Sequence, residues 1–278
     1  MFASTIVHPL AKKPTAFGVD FMQAMSNYNV DTMTSQDPLW QKTGELYHNF
    51  IAACEDQITS SSSIPKIIHQ IWLGSPFPER CKNFRDSWLK LHPDWDYMLW
   101  TEKKIKEFGL YNKKLYDTAK NYGEKSDIAR YEILYRMGGL YIDTDFECLQ
   151  PFDYIHEHSN FYAGLNRGPS IEVFNGMIGS CPGHPIVQLC IERLHKPELL
   201  KRRSNHPMAI IIRTGPQFFT QCIYACLDVI QDGVVLFPSS YFYAWPNSQL
   251  HLKDPAHIQK WIKPESMALH HWHCSWQK

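Results

Sequence analysis

Two aspartates one residue apart, Asp143 and Asp145, close the segment SDIARYEILYRMGGLYIDTD at residues 126–145, just after an apolar run of strand length. In an extended chain, side chains alternate faces at roughly 3.3 Å per residue, so these two carboxylates leave the same side about 6 to 7 Å apart. A slight bend lets them share one ion. Mg²⁺ and Mn²⁺ are hard cations, commonly held by one or two protein carboxylates with phosphate oxygens of a substrate filling other positions. An Asp-x-Asp at a strand end therefore points to a nucleoside-diphosphate site. The bland alternative is a solvated acidic turn, and the residues upstream weigh against it. Ser126 is a suitable N-cap, Ile128, Tyr131, Leu134 and Tyr135 recur at helical spacing, and Gly138-Gly139 ends the pattern. Asp127 and Arg130, three apart on the first turn of that expected helix, can bridge each other or reach sugar hydroxyls and phosphate.

The elements that must position these groups alternate strand and helix. A strand is expected over 67–72, a helix over 79–91 with Cys81, Phe84, Trp88 and Leu91 on one stripe, and a strand over 96–100. The capped helix and the acidic strand follow. Such alternation predicts an α/β fold with a mainly parallel sheet covered by helices, whose ligands collect at the carboxyl ends of the strands. Further on, the pattern predicts a strand over 161–165, a loop over 175–179, a helix from Pro185 and a buried strand over 234–237. Thr214-Gly-Pro-Gln217 has capping-box spacing and is expected to open a helix over 218–227. Residues 1–62 differ in character: polar, strand-poor and closing on TSSSS, they are read as a helical N-terminal extension to a main domain over 63–278. Within them Asp37-Pro38 starts a helix with Leu39, Leu46, Tyr47, Phe50 and Cys54 on one face. The tail, ALHHWHCSWQK, is rich in aromatic and imidazole rings and is expected to dock.

With 278 residues, 44% of them hydrophobic, the chain can bury a sizeable core. Lys+Arg and Asp+Glu balance at 28 each, so no global field argues for nucleic acid. The basic runs Lys103, Lys104, Lys106, Lys113, Lys114 and Lys201, Arg202, Arg203 read as solvated helix faces, with anionic lipid or an acidic acceptor as the partner the last run could meet. Eight cysteines lie scattered without CxxC and predict reduced thiols. No window supplies ~18 apolar residues and no secretory leader is seen, so a cytoplasmic protein with a peripheral membrane contact is expected. Neither GxGxxG after a strand nor GxxxxGK[ST] occurs, which removes dehydrogenase and P-loop readings. A phosphohydrolase with an aspartate nucleophile wants Thr or Val four residues after its first Asp, where this chain has Glu147.

Five ordered blocks, IPKIIHQIWLG (64–74), SDIARYEILYRMGGLYIDTD (126–145), FNGMIGSCPGHP (174–185), TGP (214–216) and HHWHCSW (270–276), together resemble the DXD-containing sugar-transferase family. That family includes initiating α-1,6-mannosyltransferases and polysaccharide-building enzymes, and is distantly similar to the glucosyltransferase domains of clostridial toxins. The resemblance implies a GT-A fold (a Rossmann-like nucleotide-sugar transferase), Mn²⁺ or Mg²⁺, a UDP-hexose or GDP-mannose donor, and retention at the anomeric carbon. Carried onto this sequence, it puts Trp72 against the nucleobase, Asp127 and Arg130 on the donor sugar and its phosphate, and Asn175 at the sugar pocket. Asp143 would meet ribose and metal-bound water, Asp145 the metal itself, and Ser275 and Trp276 the diphosphate and leaving group. His271 is the expected further metal ligand, with His270 as the alternative, and His273-Cys274 leaves room for a zinc or redox role. Asp127, Arg130 and Asp145 are the expected catalytic set; a glycosyl adduct on Asp127 or Glu172 would instead mean double displacement. The expected acceptor is a glycan of the polysaccharide or lipopolysaccharide type, the alternatives being a protein side chain or a silent carbohydrate binder of the same fold.

Overall fold

The structure, a computed structural model, describes residues 12–26, 37–56, 64–167, 171–196, 209–228 and 232–273. Among the described residues, two helices precede the first strand, α1 (Phe21–Ala24) and α2 (Pro38–Glu55). Asp37 caps α2 by accepting from the Leu39 N–H at 2.8 Å, and Pro38 sits in the first turn, where its missing N–H costs nothing. Trp40, Leu46, Tyr47, Phe50 and Cys54 form its buried face. That face packs on the strand Val234–Phe237, and the Tyr47 hydroxyl lies 2.8 Å from that of Tyr241.

From residue 64 the chain runs β1 (Ile67–Ile71), α3 (Glu79–Leu91), β2 (Asp96–Trp100), α4 (Glu102–Phe108), α5 (Lys113–Thr118), α6 (Tyr122–Met137) and β3 (Gly139–Ile142). It continues through β4 (Phe146–Cys148), α7 (Asp153–His158), β5 (Phe161–Arg167), β6 (Ile171–Ser180), α8 (Pro185–Leu194), α9 (Ala209–Arg213) and α10 (Pro216–Cys226). The last elements are β7 (Val234–Phe237), α11 (Ser239–Phe242), α12 (Pro255–Gln259) and β8 (Ala268–His270). One sheet has the order β2-β1-β3-β6-β5-β7. Strand β6 runs antiparallel to both neighbours, while β2, β1 and β3 are mutually parallel and β5 is parallel to β7. The tail strand β8 pairs antiparallel with β4 as a separate ribbon. This pairing brings residues 268–273 to the acidic corner.

Two local features differ from the sequence expectation. Helix α6 begins at Tyr122, with Asn121 as the cap accepting from Gly123 at 2.7 Å, so Ser126, Asp127 and Arg130 lie inside the helix rather than at its start. Residues 175–179 are not a loop but the middle of β6. Their glycines serve close packing: a Cβ on Gly179 would collide with the Tyr162 ring, and one on Gly176 would come within 2.9 Å of Asp143 Oδ2.

The turn from α6 into β3 requires glycine. Gly138 and Gly139 have φ of +63° and +97°, and a Cβ on Gly139 would stand 2.6 Å from the Ile67 carbonyl oxygen. Beside this turn His69 is fully buried, its Nδ1 accepting from Trp100 Nε1 at 3.1 Å and its Nε2 donating to the Gly138 carbonyl at 2.9 Å.

Candidate active site

Strand β3 delivers Asp143 to the carboxyl edge of the sheet. Its N–H bonds the Gly176 carbonyl at 2.8 Å, continuing the β3–β6 ladder by one step before the chain turns through Thr144 to Asp145. The same period of two that spaces the aspartates puts Tyr141 below Asp143, and the Tyr141 hydroxyl donates to Asp143 Oδ1 at 2.8 Å. Tyr141 therefore belongs to the site, and its alternation with Asp143 was the signal available in the sequence.

Helix α6 contributes a buried polar face. Arg130, only 4% exposed, donates from Nη1 to the Asn175 carbonyl at 2.5 Å, pairs with Asp127 at 3.0 Å and Asp143 at 3.3 Å, and lies 4.3 Å from the centroid of the Tyr141 ring. Burial alone would lower its pKa; the Tyr141 hydroxyl, Asp143 and Asp127 around it hold the pKa above the ordinary guanidinium value. Asp127 accepts from Asn175 Nδ2 and from Thr214 Oγ1, both at 2.8 Å. Burial pushes its carboxyl up to about 6, against the opposing pull of Arg130 and of the Thr214 hydroxyl. The Thr214 hydroxyl, expected to cap a helix, is thus spent on Asp127, and α10 starts at Pro216 after Gly215 with no side-chain cap.

The acidic corner is completed from the tail. Asp145 Oδ1 lies 3.1 Å from His270 Nε2, and Asp145 Oδ2 accepts from the backbone N–H of His273 at 2.7 Å. Burial works to raise the Asp145 pKa, yet His270 and the His273 N–H outweigh it and hold this carboxyl well below the usual range. Burial raises Asp143, with Arg130 opposing and the Asp145 charge adding to the rise. One ligand atom each from Asp143, Asp145 and His270 lies within 4.8 Å of the others.

His271, the tail histidine favoured from the sequence, is not part of this group. Successive residues of β8 and its continuation point to opposite sides, so His270 stacks on Phe146 at 4.4 Å and faces Asp145, while His271 stacks on Phe84 and meets Glu147 Oε2 at 2.9 Å. Trp272 then takes φ +51°, a left-handed conformation rare for a tryptophan, and this reversal brings the His273 N–H to Asp145. Buried Trp272 is fixed by its Nε1 donating to the Trp245 carbonyl at 2.8 Å.

Trp72 lies just past β1, half-buried, with Nε1 on Ser75 Oγ at 3.1 Å and its ring edge-on to Phe77. Ser275 and Trp276 lie outside the described residues, as do Cys274 and the run Lys201, Arg202, Arg203.

Two carboxylates and one imidazole make an oxygen-rich set with one borderline nitrogen, a donor chemistry that suits Mn²⁺ or Mg²⁺ better than a softer metal. The buried Nδ1 of His270 has no hydrogen-bond partner among the described residues. The residues present fit a divalent ion.

Residues 78–162 match the family described as the glycosyltransferase sugar-binding region containing the DXD motif. The chain is 27% identical over 273 residues to inositol phosphoceramide mannosyltransferase 3 of Schizosaccharomyces pombe, covering 92% of this chain and 69% of that protein. It is 36% identical over 161 residues to the mannosyl phosphorylinositol ceramide synthase SUR1 of Saccharomyces cerevisiae, covering 56% of this chain and 41% of that protein. Over 228 residues it is 27% identical to the initiation-specific alpha-1,6-mannosyltransferase of Candida albicans, covering 66% and 58% of the two chains. The chain thus spans less than two thirds of the last two relatives. Among solved structures, the PaToxG glycosyltransferase superposes with a TM-score of 0.52 at 16% identity, covering 84% of this chain and 86% of the other. The fold is GT-A.

Proposed function

We propose that this chain, whose residues 78–162 match the DXD-containing glycosyltransferase sugar-binding family, is a metal-dependent, retaining glycosyltransferase. The proposed reaction moves a hexose from a nucleoside-diphosphate sugar to an acceptor hydroxyl. Mannose from GDP-mannose is the favoured donor, because relatives along the length of the chain carry mannosyltransferase names. The same names favour a phosphoinositol glycolipid or a glycan as acceptor over a protein side chain. A lipid acceptor would bring the protein to a membrane surface; among the described residues no helix is long and apolar enough to cross one.

The observation that carries this reading is the convergence of Asp143, Asp145 and His270 beside the Asp127–Arg130 pair. Breaking the anomeric C–O bond leaves negative charge on the β-phosphate. A divalent ion held by Asp143, Asp145 and His270 would supply Lewis-acid stabilisation of that charge. Arg130, fixed by Asn175, Asp127 and Tyr141, adds a positive charge that needs no reorganisation as the bond breaks. Asp127 Oδ1 takes both Asn175 Nδ2 and Arg130, whereas Oδ2 takes only the Thr214 hydroxyl and so retains capacity for a sugar hydroxyl. Asn175 lines the same spot, Trp72 is assigned to the nucleobase, and Ser275 and Trp276 are assigned to the leaving group on the resemblance alone. For retention, the acceptor hydroxyl attacks from the face the diphosphate leaves, and its proton passes to the departing phosphate oxygen, so no side chain is needed as base.

The test is nucleotide release by purified protein from a panel of UDP- and GDP-sugars, with Mn²⁺ and with chelator. Metal-dependent release from GDP-mannose is expected. Equal release of phosphate from a generic phosphate ester, or none from any nucleotide sugar, would overturn the assignment.

A further inference from the structure

Asp127, Asn175, Tyr131 and Thr214 form a closed hydrogen-bonded ring. Thr214 Oγ1 donates to Asp127 Oδ2 at 2.8 Å, Asn175 Nδ2 donates to Asp127 Oδ1 at 2.8 Å and to the Tyr131 hydroxyl at 3.0 Å, and that hydroxyl donates to the Thr214 carbonyl at 2.8 Å. The four residues come from three separate elements: Asp127 and Tyr131 from α6, Asn175 from β6, and Thr214 from the turn between α9 and α10. Thr214 and Tyr131 are fully buried and Asn175 is 4% exposed, so water is excluded as a substitute donor. A second tie joins the same two helices next to the ring, an ion pair between Arg213 on α9 and buried Glu124 on α6.

A carboxylate out of water is costly unless its lone pairs are matched, and a lone arginine neighbour leaves it free to turn about the Cβ–Cγ bond. Here the two oxygens receive different donors from different elements. Rotation of the carboxylate would break the Thr214 and Asn175 bonds together. We infer that Thr214, held in turn by Tyr131, is a positioning residue that fixes the orientation of the Asp127 carboxylate, and through it the Arg130 guanidinium, for the donor sugar. This rests on the donor role given to Asp127 above. Its consequence is that the α9–α10 turn, far along the chain from the acidic motif, sets the rate of sugar transfer without touching the substrate.

Thr214→Val keeps the volume and removes the hydroxyl; Thr214→Ser keeps the hydroxyl and removes a methyl. With GDP-mannose and Mn²⁺ as the probe, Thr214→Val is expected to lower kcat about 10- to 100-fold with KM changed less than about 3-fold, the range for misplacing a group that orients the reacting sugar. Thr214→Ser is expected to keep at least a third of wild-type kcat. Tyr131→Phe, which frees the Thr214 carbonyl while leaving both Asp127 bonds, should fall between them. Thr214→Ala is read on the same scale if the valine variant does not fold. Equal kcat in wild type and Thr214→Val, or an equal loss in the serine variant, overturns the inference. A crystal structure of Thr214→Val provides a readout independent of turnover: the Asp127 carboxylate should be rotated or split between orientations, and an unchanged carboxylate overturns the positioning role. Absence of turnover in the wild type would instead remove the donor assignment, leaving that structural readout to decide the ring.

Discussion

Asp145 is held at both oxygens by β8 and the residues just after it: His270 Nε2 stands 3.1 Å from Oδ1, and the His273 N–H donates to Oδ2 at 2.7 Å. The second aspartate of the motif and the docked tail are therefore one structural unit. Asp145→Ala removes a proposed metal ligand and the anchor of residues 270–273 together. Donor turnover with Mn²⁺ is expected to fall at least about 100-fold while the far-ultraviolet circular dichroism stays native, because the sheet does not depend on this side chain. Retained turnover in that variant would remove the metal assignment.

Adjacent histidines separate the two tail roles. His270→Ala deletes one of the three clustered ligand atoms, and Mn²⁺ affinity read by electron paramagnetic resonance should weaken about 10- to 100-fold. His271→Ala leaves that set intact and removes only the stacking on Phe84 and the contact with Glu147, so Mn²⁺ affinity should change less than about 3-fold. The reverse order of effects would restore the sequence-based choice of His271.

How far the sequence could be read follows from which signals are local. The boundaries of α3, β2 and β7 match the expected ones because periodicity and turn residues mark them within the segment itself. Strand β6 was hidden by Gly176 and Gly179, which look like loop residues until the ring of Tyr162 and the carboxylate of Asp143 are seen against them. Thr214 carried capping-box spacing, yet its hydroxyl answers a carboxylate 87 residues away. The choice between His270 and His271 depended on strand register, and a shift of one residue reverses every side chain. Pairing, in each case, was the missing information.

Gly139 tests the hinge that aims the acidic strand. With φ +97° and 2.6 Å between an added Cβ and the Ile67 carbonyl, Gly139→Ala must both strain its own backbone and disturb β1. A loss of about 2 kcal/mol or more in urea unfolding at constant m is expected. Less than about 0.5 kcal/mol would mean that the turn relaxes freely.

Buried His69 makes stability depend on pH. Burial lowers its pKa from 6.5 to about 4, against the pull of its bond to the Gly138 carbonyl. The unfolded chain therefore binds a proton between those values that the folded chain does not, and stability declines as pH falls through 6.5, with the full loss reached below about 4. For this group alone the loss is about 2 kcal/mol at pH 5 and about 3 kcal/mol at pH 4. His69→Gln, which keeps a donor and an acceptor, should flatten that part of the profile. An unchanged pH slope in the glutamine variant would show that another group carries it.

Asp127 gives the complementary dependence in activity. Its carboxyl titrates near 6 because burial outweighs Arg130 and the Thr214 hydroxyl, so the ionised form is complete only above that value. As pH falls through about 6 the site gains a proton, Arg130 loses one of its two carboxylate partners, and one Asp127 oxygen becomes a donor where the sugar needs an acceptor. The acid limb of kcat/KM measured with GDP-mannose is expected to have its midpoint near 6. Asp127→Asn, permanently uncharged, should run at least about 100-fold slower and lose that limb, because nothing remains at this position to titrate. An acid limb that survives unchanged in the asparagine variant would assign it to another group and leave Asp127 a structural role only.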